Sequence, residues 1–233
     1  MVHTTRFPPQ WAADETIGAT GLIFTQMALK QKDGPKLTLY VRSRSKLSAD
    51  TLSNPAVRIV EGSLTDERAL EDAMTGVDSV VSFLGAYVSF RAFIWRIKTT
   101  PIADSFPTIF QAMRAQGVKR ILALSTPAYD VSSEQKPWTF WLMGFMPALF
   151  VPQGNAEMVA IARSVAAQSD LDWTLFRVPH LNNGPADLPL AAGLLGPDYK
   201  GSLELSRPSM ARWALEEIKK GEWIRGAPAL GNY

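Results

Sequence analysis

Ile17-Gly18-Ala19-Thr20-Gly21-Leu22-Ile23-Phe24-Thr25-Gln26-Met27-Ala28-Leu29-Lys30 is the stretch on which the reading of this chain turns. A glycine turn runs straight into an apolar-periodic helix. Gly18 and Gly21 let the backbone turn tightly and approach a ligand closely. The helix start behind them offers unpaired N–H groups and the positive end of the helix dipole. Together these suit a pyrophosphate, and such a turn opens many dinucleotide-binding domains. Two features depart from that pattern. Phe24 stands where a third glycine normally lets helix and strand pack closely, so its ring must push the helix out or rotate away. Trp11-Ala-Ala-Asp-Glu-Thr16 is also too polar for a central strand buried on both faces. Residues 1–16 are therefore expected to be irregular, with Phe7-Pro-Pro9 as a break.

Outward from the turn, apolar strands alternate with amphipathic helices. A helix is expected from about Leu22 to Asp33, stopped by Gly34-Pro35. Strands follow at residues 37–41, 57–60, 79–84, 120–125 and 172–178. Thr65 is the expected cap of a helix that ends at Gly76. Phe106 to Gln116 reads as a helix with Pro107 in its first turn and Gly117 after it. Asn155 to Ser169 is helical, with Met158, Val159, Ala162 and Val165 on one face. Ser206-Arg-Pro-Ser209 opens a last helix to about Lys220. Residues 182–204 read as Gly- and Pro-rich loop. This order predicts an α/β fold: a Rossmann-like, doubly wound parallel sheet in a single domain over residues 1–233. Residues 182–233 would add a small C-terminal substrate lobe.

Composition narrows the chemistry. The 233 residues are 46% hydrophobic and 20% charged, as in an ordinary globular domain. Net charge is +2 with scattered cations, which gives no footprint for nucleic acid. There is no cysteine, hence no disulfide, thiolate nucleophile or thiolate metal site. With only His3 and His180, no histidine-based metal site is expected. The N-terminal stretch lacks the apolar core of a signal peptide, so a cytoplasmic location is expected. Trp138 to Pro152 carries no charge, but Pro147 interrupts it and it falls short of the ~20 residues a membrane span needs. It reads as a buried, pocket-lining or interface segment, with shallow membrane contact as the minor alternative.

Five stretches in order carry a resemblance: Gly18-Ala-Thr-Gly21, Val41-Arg-Ser-Arg-Ser-Lys46, Glu61-Gly-Ser-Leu-Thr-Asp66, Gly117-Val-Lys-Arg-Ile-Leu122 before Ser125, and Leu171-Asp-Trp-Thr-Leu-Phe-Arg177. Over roughly residues 17–220 the chain resembles the atypical short-chain dehydrogenases of the NmrA-like, NAD(P)H-binding group. Its tail, from Leu195 to Tyr233, looks similar to fungal members associated with secondary metabolism. The resemblance implies a cofactor site formed by Gly18, Thr20, Gly21, Leu22 and Ile23 around the pyrophosphate. Ser63 and Leu64 would lie by the adenine, and Phe83, Leu84 and Gly85 under the ribose. Ser125 and Pro179 would complete the cofactor contacts. An Asp or Glu after the second strand would favour NAD. Arg42, Arg44 and Lys46 stand there instead and suit the 2′-phosphate of NADP(H). The alternative for this loop is a solvated basic surface.

Typical short-chain dehydrogenases use Tyr-x-x-x-Lys, in which the Lys lowers the phenol pKa for proton exchange. None of the five tyrosines here is followed by Lys at that spacing. The remaining catalytic candidates are Ser125 and Tyr129 after the fifth strand and His180 after the sixth, all at the ligand-binding edge of such a sheet. Imidazole titrates near neutrality, which suits His180 for proton transfer; the plainer alternative is a loop histidine bonded to backbone. Apolar stretches at residues 90–95, 138–150 and 188–195 imply a pocket for a hydrophobic small molecule or, with equal weight, a homodimer interface. Three functions compete. They are an NADP(H)-dependent oxidoreductase, a cofactor-independent isomerase or cyclase, and a non-catalytic NADP(H) sensor.

Overall fold

The alternating pattern produces two helical layers on a mostly parallel sheet in the computed structural model, which describes residues 2–4, 18–32, 34–85, 99–135, 138, 140 and 152–233. The strands are β1 (Val2–Thr4), β2 (Leu37–Val41), β3 (Val57–Glu61), β4 (Ser79–Phe83), β5 (Arg120–Ser125), β6 (Asp172–Arg177), β7 (His180–Asn182), β8 (Leu190–Gly193), β9 (Glu204–Ser206) and β10 (Ala229–Asn232). The helices are α1 (Ala19–Leu29), α2 (Ala49–Ser53), α3 (Glu67–Met74), α4 (Phe106–Ala115), α5 (Pro152–Ala166) and α6 (Arg207–Lys220). The main sheet has the order β3-β2-β1-β4-β5-β6-β10-β8. Its pairs are parallel except for β8, which runs antiparallel to β10. The chain steps outward from β1 to β3 and then restarts at β4. The crevice between β1 and β4 is therefore the switch point at which open α/β sheets bind ligands.

Strand alternation sorts the core into two layers. Val80, Ile121 and Leu175 face α3, α4 and α5. Their neighbours Val81, Leu122 and Phe176 face α1 and α6. Each layer is sealed by side chains at or near zero exposure, such as Phe106 and Ile161 on one side and Ala28 and Met210 on the other. Burying a Leu, Ile or Phe contributes about 1.5–3 kcal/mol, so both layers are substantial.

Several sequence expectations need correction. The central strand lies at Val2–Thr4, not next to the glycine turn. Val2 pairs with Leu39 and Val81, and His3 with Tyr40 and Ser82. A strand upstream of Phe7-Pro-Pro9 thus fills the centre, and residues 5–17 lie outside the described residues. Helix α1 starts at Ala19, earlier than expected, because Gly18 itself is the N-cap. Helix α3 is capped by Asp66 rather than Thr65; the Asp66 carboxylate accepts from the Ala69 N–H at 3.0 Å. Helix α5 begins at Pro152, where the missing proline N–H costs nothing in a first turn.

The segment 180–232 is more regular than its composition suggests. Strands β7 and β9 form a separate parallel ribbon, while β10 and β8 extend the main sheet past β6. Leu190-Ala-Ala-Gly193 and Ala229-Leu-Gly-Asn232 lack the β-branched residues that mark strands. Gly231 is needed there: a Cβ would stand 2.5 Å from the Ser202 carbonyl oxygen. The aromatic stretch at 90–95 and most of 138–150 lie outside the described residues. Within the latter, Phe140 is buried against Tyr199, Leu195 and Ala229, and Trp138 is exposed. Among the described residues no helix is long and apolar enough to cross a membrane.

Candidate cofactor and active site

The start of α1 is built to meet an anion. Gly18 is extended (φ −69°, ψ 164°) and no side chain caps the helix. The carbonyl of Gly18 accepts from the Leu22 N–H at 3.2 Å. The amides of Ala19, Thr20 and Gly21 therefore head a helix with no side-chain cap and no acidic residue in its first turn. These groups fit a pyrophosphate. Thr25 ties the turn from within, its hydroxyl donating to the Gly21 carbonyl at 2.8 Å. Leu22 and Ile23 lean on the core below.

Phe24 rotates away from the turn. Its ring is 1% exposed and lies 5.3 Å from the ring of Phe83 in the helix–sheet layer. Phe83 in turn meets Phe176 at 5.9 Å, and Phe176 meets Trp213 of α6 at 6.0 Å. The residue in the third-glycine position is thus a core residue that joins α1 to the sheet and, through two further rings, to α6.

The ends of β2 and β3 lie side by side and shape the next two loops. Ser43 caps a short 3-10 turn over Arg44–Lys46. Arg42 and Arg44 are exposed there, and the Lys46 side chain lies outside what the structure describes. Arg44 does not stand alone. Its N–H donates to Glu61 Oε1 at 2.6 Å, its Nε lies 3.3 Å from Glu61 Oε2, and Nη2 donates to the Ile59 carbonyl at 3.3 Å. The next loop is held by buried Tyr40, whose hydroxyl donates to the Ser63 carbonyl at 2.7 Å. Burial, with a smaller push from Asp66, keeps this phenol protonated well above its ordinary range. Gly62 passes so close that a Cβ would lie 2.2 Å from the Tyr40 hydroxyl. Ser63 Oγ meets Thr65 Oγ1 at 3.0 Å, and Leu64 packs on the core. At the end of β4, Phe83 and Leu84 are buried in opposite layers. This leaves backbone, with half-buried Gly85, at the strand end.

The three catalytic candidates stand apart, and their side chains share no hydrogen bond. Ser125 is fully buried, and its hydroxyl turns to the Met158 carbonyl of α5 at 3.4 Å. Tyr129 is half-buried with its ring against the core. His180 is exposed, its side chain retaining 67% of its accessibility. Half-buried Pro179 precedes it. His180 Nδ1 lies 3.1 and 3.2 Å from the two carboxylate oxygens of Glu204 across the β7–β9 ribbon. Asn182 Nδ2 donates to the same carboxylate at 2.8 Å. The His180 bond, then the Asn182 bond, hold the Glu204 carboxyl below its ordinary range.

Sequence reasoning missed the glutamates. Arg177, at the end of buried β6, is itself fully buried. Its guanidinium forms a two-pronged pair with Glu134, with Nη1 2.8 Å from Oε2 and Nη2 on Oε1. Nε donates to the Ala227 carbonyl at 2.8 Å and Nη1 to the Tyr129 carbonyl at 3.2 Å. A charge at the end of an apolar strand demands a buried partner, and that was the available signal. Glu61 and Glu204 are exposed, and nothing in their spacing gave them away. Beyond this pair, β8 and the following turn border a groove of about 640 Å³, with Tyr199, Lys200 and Tyr233 on its wall. Among the described residues no cluster of His, Asp and Glu could hold a metal ion.

Solved structures share this fold. A short-chain dehydrogenase/reductase from Veillonella parvula DSM 2008, in complex with NADP, superposes with a TM-score of 0.68 at 20% identity, covering 92% of this chain and 90% of its own. An anaerobillin reductase from Escherichia coli O157:H7 gives a TM-score of 0.68 at 14% identity, covering 91% of each chain. An oxidoreductase from Lactococcus lactis gives 0.67 at 13% identity, covering 92% and 87%. No curated relative matched significantly. Residues 17–220 match the family described as NAD(P)H-binding, and with the open helix terminus at the switch edge the chain belongs to that family.

Proposed function

We propose that the protein is an NADP(H)-dependent oxidoreductase acting on a hydrophobic small molecule. The observation that carries this reading is the uncapped start of α1 together with Arg42 and Arg44 at the end of neighbouring β2. Gly18, Thr20 and Gly21 would hold the pyrophosphate, and Leu22 and Ile23 would seat it from below. Ser63 and Leu64 would border the adenine, and the backbone at 83–85 the ribose. Arg44, Arg42 and Lys46 would select the 2′-phosphate. Ser125 and Pro179 would border the nicotinamide end. The NADP-bound Veillonella relative lends the cofactor choice support by fold.

When bound, the cofactor would supply the hydride. His180 would supply the proton: as an imidazolium with its Nδ1–H held by Glu204, it would give the Nε2 proton to the oxygen of a substrate carbonyl and be left as the neutral Nδ1–H imidazole. Tyr129 is the alternative donor. An NmrA-like ancestry, with a role in fungal secondary metabolism, a cytoplasmic location and a homodimer, belongs to the same proposal and rests on the motif order and apolar stretches. A second reading, a non-catalytic NADP(H) sensor, is favoured by the buried Ser125 hydroxyl and by the missing Tyr-x-x-x-Lys. Fluorescence titration with NADPH, followed by turnover with aromatic aldehydes and ketones, separates the readings. Binding with turnover that drops at least ~100-fold in His180→Ala supports the enzyme. Binding without turnover supports the sensor, and no response at millimolar NADPH ends both.

A further inference from the structure

We infer that Glu61 is a specificity-determining residue that restrains the preference for NADP(H) over NAD(H). Resting on the cofactor reading above, this inference concerns the carboxylate that contacts Arg44 of the basic loop. Val41 and Glu61, the last residues of β2 and β3, are register partners, so Glu61 stands beside the start of that loop. It grips Arg44 twice, at the backbone N–H (2.6 Å) and at Nε (3.3 Å). Both side chains are about half exposed, at 54% and 44%.

An exposed pair of this kind is weak and screened. A phosphate accepts shorter, charge-assisted and two-pronged bonds, so it can draw the Arg44 guanidinium from Glu61. The carboxylate does not leave with it. The Arg44 N–H still holds Oε1, so a negative charge stays beside the incoming dianion and opposes it. Towards a ribose 2′-hydroxyl the same carboxylate is an acceptor, the role that an acidic residue after β2 plays in NAD sites. Arg44 therefore draws the site towards NADP(H) and Glu61 draws it back, so the site admits both.

Glu61→Gln isolates the charge, because its amide oxygen can still accept from the Arg44 N–H and keep the turn. Glu61→Ala removes both. The ligands are 2′,5′-ADP and 5′-AMP, which differ only by the 2′-phosphate, titrated calorimetrically into the protein alongside NADPH and NADH. Glu61→Gln is expected to tighten 2′,5′-ADP roughly three- to tenfold, with the gain shrinking at high salt, and to move 5′-AMP by less than about twofold. An unchanged or reversed ratio, with NADPH still binding the wild type, overturns the role of Glu61 and leaves the cofactor reading standing. If the wild type binds neither NADPH nor NADH, the cofactor reading falls and the inference falls with it.

Discussion

Arg44–Glu61 and Arg177–Glu134 are one chemical pair in two settings, on opposite sides of the β1–β4 switch point. At the β2–β3 end both partners are about half in solvent. At the β6 end they are 0% and 1% exposed. The buried pair is saturated: Arg177 also bonds the Ala227 and Tyr129 carbonyls, and Glu134 Oε1 accepts from the Leu195 N–H at 2.7 Å. It ties β6 to the loop after β5 and to the turn after β8. The exposed pair holds one loop and can exchange partners. The difference teaches where each side of the molecule can adapt. The β2–β3 side has replaceable charges, whereas the far side has a fixed electrostatic anchor beneath its groove.

The sharpest way to break that contrast is to remove one glutamate from each pair. Glu134→Ala leaves a buried, unpaired guanidinium and is expected to cost about 3–5 kcal/mol, a fall of roughly 10 °C in melting temperature. Glu61→Ala should cost less than about 1 kcal/mol. Equal losses in thermal melts of the two variants would end the comparison.

Phe24→Gly restores the third glycine of the fingerprint but empties the layer between α1 and β4. A loss of about 3–5 kcal/mol is expected in urea titrations, as for other buried phenyl deletions. A variant as stable as the wild type would show that the ring is dispensable there.

Arg44→Ala should change stability by less than about 1 kcal/mol while weakening NADPH about tenfold and NADH little. Equal weakening of both cofactors would assign Arg44 to the loop rather than to the phosphate.

The smallest effect is on pH dependence. Buried Glu157 accepts from the Ala103 N–H at 2.6 Å, and burial raises its carboxyl above the ordinary 4.5. A raised value in the fold favours the protonated form. Its contribution is therefore full below the unfolded value and lost as pH rises through the folded one. Glu204, held down by His180, runs the other way and loses its contribution as pH falls. Melting temperatures of Glu157→Gln against wild type, from about pH 4 to 7, should move in the variant's favour as pH rises. A flat difference would remove Glu157 from this account.

Periodicity made β2 to β6 and the long helices legible, because their apolar spacing follows from burial on two faces. The last helix, opened at Ser206 and running to Lys220, was equally open, because Pro208 suits a first turn. β1 was hidden by its brevity and by its distance from the glycine turn. β8 and β10 were hidden because alanine and glycine serve there for close approach, not for propensity. At the site, Gly18, Gly21 and the arginines could be named from type and position. Glu61, Glu134 and Glu204 could not, because their roles come from strands brought side by side by the fold.

One consequence follows from the shortness of β1. Among the described residues, the three of β1 are all that join the β3–β2 half of the sheet to the β4–β5–β6 half. The sheet carries a seam, and α1 packs against it. A molecule long enough to touch the loops after β2 and after β4 would act as a stitch across that seam. Its binding should then appear as a higher melting temperature that grows with concentration, and as slower exchange of the amide hydrogens of β1 itself.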